Sequence, residues 1–289
     1  MTPQDPQLTI TRKAPAKLNL TLRVTGRRDD GFHEIDTLMV ALPGLHDVLT
    51  FSPSETLEFT CDDCSLPLDG GNLVVRAARA FAEAAGVSEG VRVHLGKNIP
   101  SGAGLGGGSS DAAATLLALQ EMHGNPLGAA KLHEIAAALG SDVPFFLHDG
   151  PARCTGRGEI VTPAPDAVPG PMSVLLLKPR FPVATVDAYC RALDPATPII
   201  PGIPMEPQEF DGLEFSNDLE RPVFAKHRFL AELKLWLHQR PETRIALMSG
   251  SGSTVFAMLH PDADAETVTR AARHELDSTL WSWHGSVAL

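Results

Sequence analysis

The chain has 289 residues, 43% of them hydrophobic, and its 24 Lys and Arg against 35 Asp and Glu give a net charge of −11. This is the balance of a globular protein large enough for two modest domains. The charge disfavours nucleic acid as a main partner, because gripping a phosphate backbone requires clustered cations; a small anion held by backbone amides and a few local lysines is not excluded.

No apolar run approaches the roughly 18 residues of a membrane span, and the start MTPQDPQLTITRK lacks the apolar segment of a secretory signal. A cytoplasmic chain with no membrane partner is expected. Four cysteines are too few for a disulfide scaffold of this size. Cys61-Asp-Asp-Cys64 has C-x-x-C spacing but no second pair to complete a zinc site, so reduced thiols without a site are expected.

In chain order, Leu8–Ile10, Lys17–Val24, Thr37–Leu42 and Leu49–Phe51 read as strands, with a turn at Arg27–Gly31. Leu73–Ala85 has helical spacing and stops at Gly86, a residue suited to the left-handed cap. A short strand, Val91–Leu95, leads into a glycine-rich stretch and then a helix, Ala112–Met122. A second helix, Leu127–Leu139, stops at Gly140, after which Ser141 or Asp142 is expected to cap a segment entered through Pro144. The Pro, Ala and Gly content between Ile160 and Pro171 marks a boundary, giving domains of 1–165 and 166–289. Beyond it come a strand Val174–Leu177, an irregular Asp194–Pro207, a strand, loop and strand over Arg244–Met248, Ser249–Ser253 and Thr254–Leu259, and a helix over Ala265–Leu276.

The chemistry concentrates in Pro100-Ser101-Gly102-Ala103-Gly104-Leu105-Gly106-Gly107-Gly108-Ser109-Ser110. Glycine lets successive N–H groups approach and converge on phosphate oxygens, and the helix that follows adds its unsatisfied amides and positive dipole end. The stretch is not a Walker A loop, because no lysine precedes the serines, and its G-x-G-x-x-G letters lack the βαβ context of a dinucleotide site. Neutralisation of the phosphates is therefore expected from Mg²⁺ held by the hydroxyl of Ser109 or Ser110, and from lysines such as Lys97 and Lys17.

With this loop, the ordered segments Ala14-Pro-Ala-Lys-Leu-Asn-Leu20, Gly26-Arg-Arg-Asp-Asp-Gly-Phe-His-Glu34, Gly140-Ser-Asp-Val-Pro-Phe-Phe146, Ser216-Asn-Asp-Leu-Glu220 and Met248-Ser-Gly-Ser-Gly-Ser-Thr254 resemble the GHMP kinase superfamily. The resemblance runs from about Ala14 to Leu259 and is most specific for the branch acting on a cytidine diphosphate-linked polyol. It implies an α+β, two-domain fold with the active site in the interdomain cleft. It also implies ATP and Mg²⁺ as cofactors, and transfer of the γ-phosphoryl group to the 2-hydroxyl of 4-diphosphocytidyl-2-C-methyl-D-erythritol in non-mevalonate isoprenoid biosynthesis.

The family's catalytic pair falls on Lys17 and Asp142, a cation to polarise the hydroxyl and a carboxylate to accept its proton or orient it. The resemblance puts ATP on residues 100–110 together with Asn72 and Lys97; Asn72 is equally placed to cap the helix that follows it. It puts the cytidine on Phe32 and His33, where the family commonly has tyrosine in place of Phe32, with Phe181 a candidate for the other face of the base. Asn19, on the same face of an extended strand as Lys17, is a candidate for the substrate hydroxyls. Gly250-Ser-Gly252 either presents amides to phosphates or substrate or is an ordinary hairpin, and Gly252 is taken as substrate-binding. Small molecules are the expected partners of a monomer or weak homodimer. The rivals are a homoserine or mevalonate kinase, which would not call for Gly31-Phe-His-Glu34, and a non-catalytic sensor, against which the presence of both Lys17 and Asp142 argues.

Overall fold

The computed structural model describes residues 9–287. Two long strands open the chain, β1 over Ile10–Arg27 and β2 over His33–Pro53. Four separate pieces were expected here, the first including Leu8, which lies outside the described residues. The pieces merge because the strands run on through Pro15 in β1 and Pro43-Gly44 in β2, where burial of Ala14, Ala16, Leu45 and Asp47 overrides the local turn chemistry. There follow β3 (Glu58–Cys61), α1 (Leu73–Ala85), β4 (Val91–Gly96), α2 (Gly107–Met122), α3 (Ala129–Leu139), β5 (Ala152–Thr155), β6 (Ile160–Pro163) and β7 (Met172–Lys178). The remainder is α4 (Thr185–Cys190), β8 (Gln208–Phe210), β9 (Leu213–Asn217), α5 (Glu220–Lys226), α6 (Arg228–His238), β10 (Thr243–Met248), β11 (Val255–Leu259), α7 (Ala265–Glu275) and β12 (Trp281–Val287).

The chain divides into two compact units that its long strands and glycine segment traverse. The first holds the described residues through Ala16, Leu45–Pro100 and Gly106–Asp149. In it β4 pairs antiparallel with the Val48–Pro53 end of β2 and parallel with β3, and α1, α2 and α3 pack together. Their core joins Leu49, Phe51, Phe81, Val93, Leu116 and Ile135. Helix α1 has the limits read from the sequence, with Asn72 Oδ1 accepting from Val74 N at 2.9 Å and Gly86 left-handed at φ 65°.

The second unit holds Lys17–Gly44, Ser101–Leu105 and Gly150 onward. Its four-stranded antiparallel sheet has the order β10-β11-β7-β12. Helix α6 packs on β10 and β11, with Leu175, Leu177, Phe224, Leu233 and Ala257 in the core. In the same unit β9 pairs parallel with β1 through Thr21↔Ser216 and Leu22↔Asn217, and β5 pairs with β2. Among the described residues no helix is long and apolar enough to cross a membrane.

Candidate active site

In the first unit the candidate residues begin at the end of β4. Lys97 N donates to Asp62 Oδ1 at 2.8 Å, and Asn98 N and Ile99 N donate to Asp47 Oδ1 at 2.6 and 2.8 Å. Three successive amides are thus held by carboxylates. The C-x-x-C segment supplies one of them, while Cys61 and Cys64 are free thiols, and burial pushes the Cys61 thiol up. The Lys97 ammonium, which the family pattern pointed toward a nucleotide, lies against Asp47 Oδ2 at 2.5 Å and Asp111 Oδ2 at 3.2 Å. Burial works against that ammonium, but the Asp111 and Asp47 carboxylates outweigh it and hold its pKa above the usual lysine value. Burial also dominates at Asp111, pushed up to about 7.

Helix α2 begins at Gly107, five residues before the expected Ala112, so Gly107 through Asp111 form its first turns. Glycine and serine have weak helix propensity in isolation; here burial of Ser110 through Leu116 against α1 and α3 overrides it. Gly106, the N-cap, is left-handed at φ 72° and no side chain caps the helix. The first-turn amides therefore have no side-chain cap within the helix. Ser110 Oγ is buried with no hydrogen-bond partner. An unused hydroxyl at a helix start is a donor that would suit a hard cation such as magnesium.

Ser109 Oγ lies 3.9 Å from the position a Cβ on Gly140 would take, which sets the Gly140-Ser-Asp142 turn beside the start of α2. Asp142 is half-buried and precedes the 3₁₀ segment Pro144–Leu147. Contrary to expectation, neither Ser141 nor Asp142 caps that segment: Val143 is its N-cap, with no side-chain bond. Helix α3 likewise starts at Ala129 rather than Leu127, because Leu127 N is held by Gln120 Oε1 at 3.2 Å in the preceding loop. Asn72 is engaged at both ends of its amide, with Nδ2 donating to Pro67 O at 3.0 Å.

In the second unit the candidate residues gather around Lys17, which is 3% exposed. Its Nζ donates to Asn19 Oδ1 at 2.5 Å, Asn19 Nδ2 donates to Thr37 Oγ1 at 2.8 Å, and Thr37 Oγ1 donates to Thr21 O at 2.6 Å. This relay fixes the amide orientation of Asn19 and hence the direction of the ammonium. Lys17 N donates to Leu105 O at 2.9 Å, so the tip of the glycine segment sits on β1 beside the lysine.

The late glycine loop closes on the same place. Gly104 O accepts from Ser249 Oγ at 3.0 Å and Ala103 O from Thr254 N at 3.2 Å. Gly104 has φ +74°, and a Cβ there would meet Ser249 O at 2.2 Å, so only glycine fits. A Cβ on Gly250 would lie 3.2 Å from both Lys17 Nζ and Asn19 Oδ1, which measures how closely this backbone approaches the pair. Two residues whose roles sequence reasoning missed build the loop. Asn217 Nδ2 donates to Met248 O and Gly250 O at 2.7 and 2.8 Å, and Glu220, paired with Lys234, accepts from Met248 N at 2.9 Å. The signal available for both was the Ser216–Glu220 motif.

Phe32 is 48% exposed, with the Arg157 guanidinium carbon 4.9 Å from its ring centroid. Arg157 is set there by the β5–β6 turn, where Gly156 O accepts from Ile35 N at 2.7 Å. His33 lies 5.4 Å from the Tyr189 ring, and burial, then Arg27, pushes its imidazole below the usual histidine value. Phe181 stacks on His227 at 5.4 Å and 14°, and Phe181 O accepts from Ser253 Oγ at 2.8 Å, next to Gly252.

The profile of the GHMP kinases N terminal domain matches residues 72–150, and that of the GHMP kinases C terminal region matches 208–278. The 4-diphosphocytidyl-2-C-methyl-D-erythritol kinase of Methylacidiphilum infernorum is 44% identical over 86% of this chain and 86% of its own. The enzyme of that name from Prosthecochloris aestuarii is 40% identical over 89% of this chain and 91% of its own. A crystal structure of 4-(cytidine 5'-diphospho)-2C-methyl-D-erythritol kinase superposes with a TM-score of 0.77 at 37% identity, covering 97% of this chain and 100% of that one. On these similarities over most of its length, the chain belongs to the GHMP kinases, in the family of 4-diphosphocytidyl-2-C-methyl-D-erythritol kinases.

Proposed function

We propose that this chain transfers the γ-phosphoryl group of ATP to the 2-hydroxyl of 4-diphosphocytidyl-2-C-methyl-D-erythritol, yielding the 2-phosphate and ADP on the non-mevalonate route to isoprenoid precursors. The observation that carries the reading is the buried Lys17 ammonium, aimed by Asn19 and flanked by backbone from the Ser101–Leu105 tip and the Ser249–Ser253 loop. A cation so placed polarises the acceptor hydroxyl and offsets charge on the transferring phosphoryl, while Asp142 accepts or orients the hydroxyl proton. The proton passes from the hydroxyl to the Asp142 carboxylate as the new O–P bond forms and the bond to ADP breaks.

On this reading residues 1–165 carry ATP binding, with the amides of 100–110 around the phosphates and Asn72 and Lys97 in the wall of the nucleotide subsite. Residues Phe32, His33 and Phe181 hold the cytidine, and Asn19 and Gly252 the polyol. Mg²⁺ would be held by the hydroxyl of Ser110 or Ser109 and would supply neutralisation of phosphate charge. The reading includes action in the cytoplasm by a monomer or weak homodimer. The exposed Phe32 ring under Arg157 favours the cytidylated acceptor over homoserine or mevalonate, neither of which has a planar base to stack. ADP release measured with the three acceptors side by side tests it. Selective turnover of the cytidylated polyol is expected, and silence with all three sinks the kinase reading.

A further inference from the structure

Lys97, Asp47 and Asp111 form a deeply buried charged cluster of the first unit, and phosphoryl transfer as described above gives neither carboxylate a part. Asp47 has no solvent exposure, and both of its oxygens are engaged: Oδ1 by the amides of Asn98 and Ile99, Oδ2 by Lys97 Nζ. Lys97 Nζ reaches from there to Asp111 Oδ2 in the first turns of α2. Asn98 Nδ2 adds a bond to His46 O at 2.9 Å, so the stem is fastened to β2 at consecutive residues.

The chain therefore enters the glycine segment at 97–99 and leaves it at 111 with both ends joined through one ammonium and one carboxylate. Burying three charges is costly unless their geometry is satisfied, and with Asp111 Oδ1 buried without a partner the cluster carries a cost that an apolar contact would not. What it does that an apolar contact does not is fix direction. The stem amides are aligned by a carboxylate, and the helix start is pulled to a set distance from the stem. Phosphate-binding amides act only when preorganised, because an amide free to rotate must be ordered by the ligand at the expense of affinity.

We propose that Asp47 is a positioning residue for the triphosphate: with Lys97 and Asp111 it forms a clasp that closes the base of the glycine segment and holds its amides and the start of α2 in the phosphate-binding arrangement. Lys97 then contributes to the nucleotide subsite through the stem it holds, with its ammonium directed at the two carboxylates. The inference rests on the reading of this segment as the ATP site.

Equilibrium binding of MgATP to the full chain, with no acceptor present, separates a positioning role from one confined to stability. In Asp47→Asn the ATP dissociation constant is expected to rise about tenfold or more. In turnover assays the KM for the cytidylated acceptor should stay within about twofold of wild type, because the acceptor does not rest on the stem. Lys97→Met is expected to weaken ATP binding similarly, and Asp47→Asn/Lys97→Met no more than the worse single change, because both break one clasp. Asp47→Glu, which restores the charge one methylene farther out, should recover part of the loss.

A role confined to stability would lower the melting temperature and leave the dissociation constant of the folded chain unchanged, and that result overturns the proposal. Should Asp47→Asn fail to fold, Lys97→Gln gives the same decision: weakened binding supports the clasp and unchanged binding refutes it. A wild-type chain that binds no ATP removes the reading of the site and the clasp with it, whereas wild-type binding that survives every one of these substitutions removes the clasp alone.

Discussion

Lys17 Nζ donates to Asn19 Oδ1 at 2.5 Å, with both side chains buried on one strand. Asn19 is thereby committed to the lysine and to Thr37, so its first effect is on the direction of the ammonium. Asn19→Ala is expected to cost about 1–3 kcal/mol of stability by leaving buried partners unsatisfied. It should also lower kcat about tenfold or more through misdirection of Lys17. Urea unfolding and steady-state kinetics on the same preparation check both; a kcat equal to wild type would show that Asn19 does not orient Lys17.

The Glu220 and Lys234 pair is wholly buried, at 2.5 Å, and Glu220 Oε1 also holds Met248 N at the base of the late glycine loop. Removing one partner leaves a buried charge alone, so Lys234→Met is expected to destabilise the chain by about 3–5 kcal/mol. Glu220→Gln/Lys234→Met, which leaves no charge behind, should be less harmful than Lys234→Met alone. Chemical denaturation of the set decides it.

Arg157 lies 4.9 Å over the exposed Phe32 ring. An exposed cation–π contact contributes about 0.5–1 kcal/mol, so Arg157→Ala should raise the KM for the cytidylated acceptor about two- to fivefold and leave that for ATP unchanged. Equal rises in both would place Arg157 outside the acceptor site. Phe32→Tyr keeps the ring and should change neither constant by more than about twofold.

Burial lowers the pKa of His33, His123 and His227 below the usual 6.5. Between that value and the lower folded one, the unfolded chain binds protons that the folded chain does not. The stability these groups contribute is therefore present above pH 6.5 and lost as the pH falls through their folded values. Asp111, raised by burial to about 7, works in the opposite sense over the same range, so the variant is read against wild type. The urea midpoint of His227→Gln relative to wild type should rise as the pH falls from 7 to 5, and an unchanged difference would show that His227 is equally protonated in both states.

The helices with strong periodicity and clear stops were legible: α1 ends at Gly86 as read, and α7 matches to one residue. Less was legible where tertiary packing overrides local preference. The first turns of α2 are written in glycine and serine, and β1 is continuous through Pro15. Strand β12, with Trp281, Trp283 and His284, carries no simple alternation and is defined by its pairing with β7. The motif residues Lys17, Asn19 and Gly104 could be named from the sequence, but Asp47 could not. It lies about fifty residues before the stem it holds, in a segment with no motif, and only the β2–β4 pairing brings the two together.

The most direct measurement is the turnover of Asp142→Ala set beside its affinity for ATP. If Asp142 accepts or orients the acceptor proton, kcat falls by about 10²–10⁴ while the ATP dissociation constant stays within about threefold of wild type, since the carboxylate acts on the acceptor. Turnover like that of wild type with the cytidylated acceptor would contradict the assignment of Asp142 and the phosphoryl-transfer site built on it.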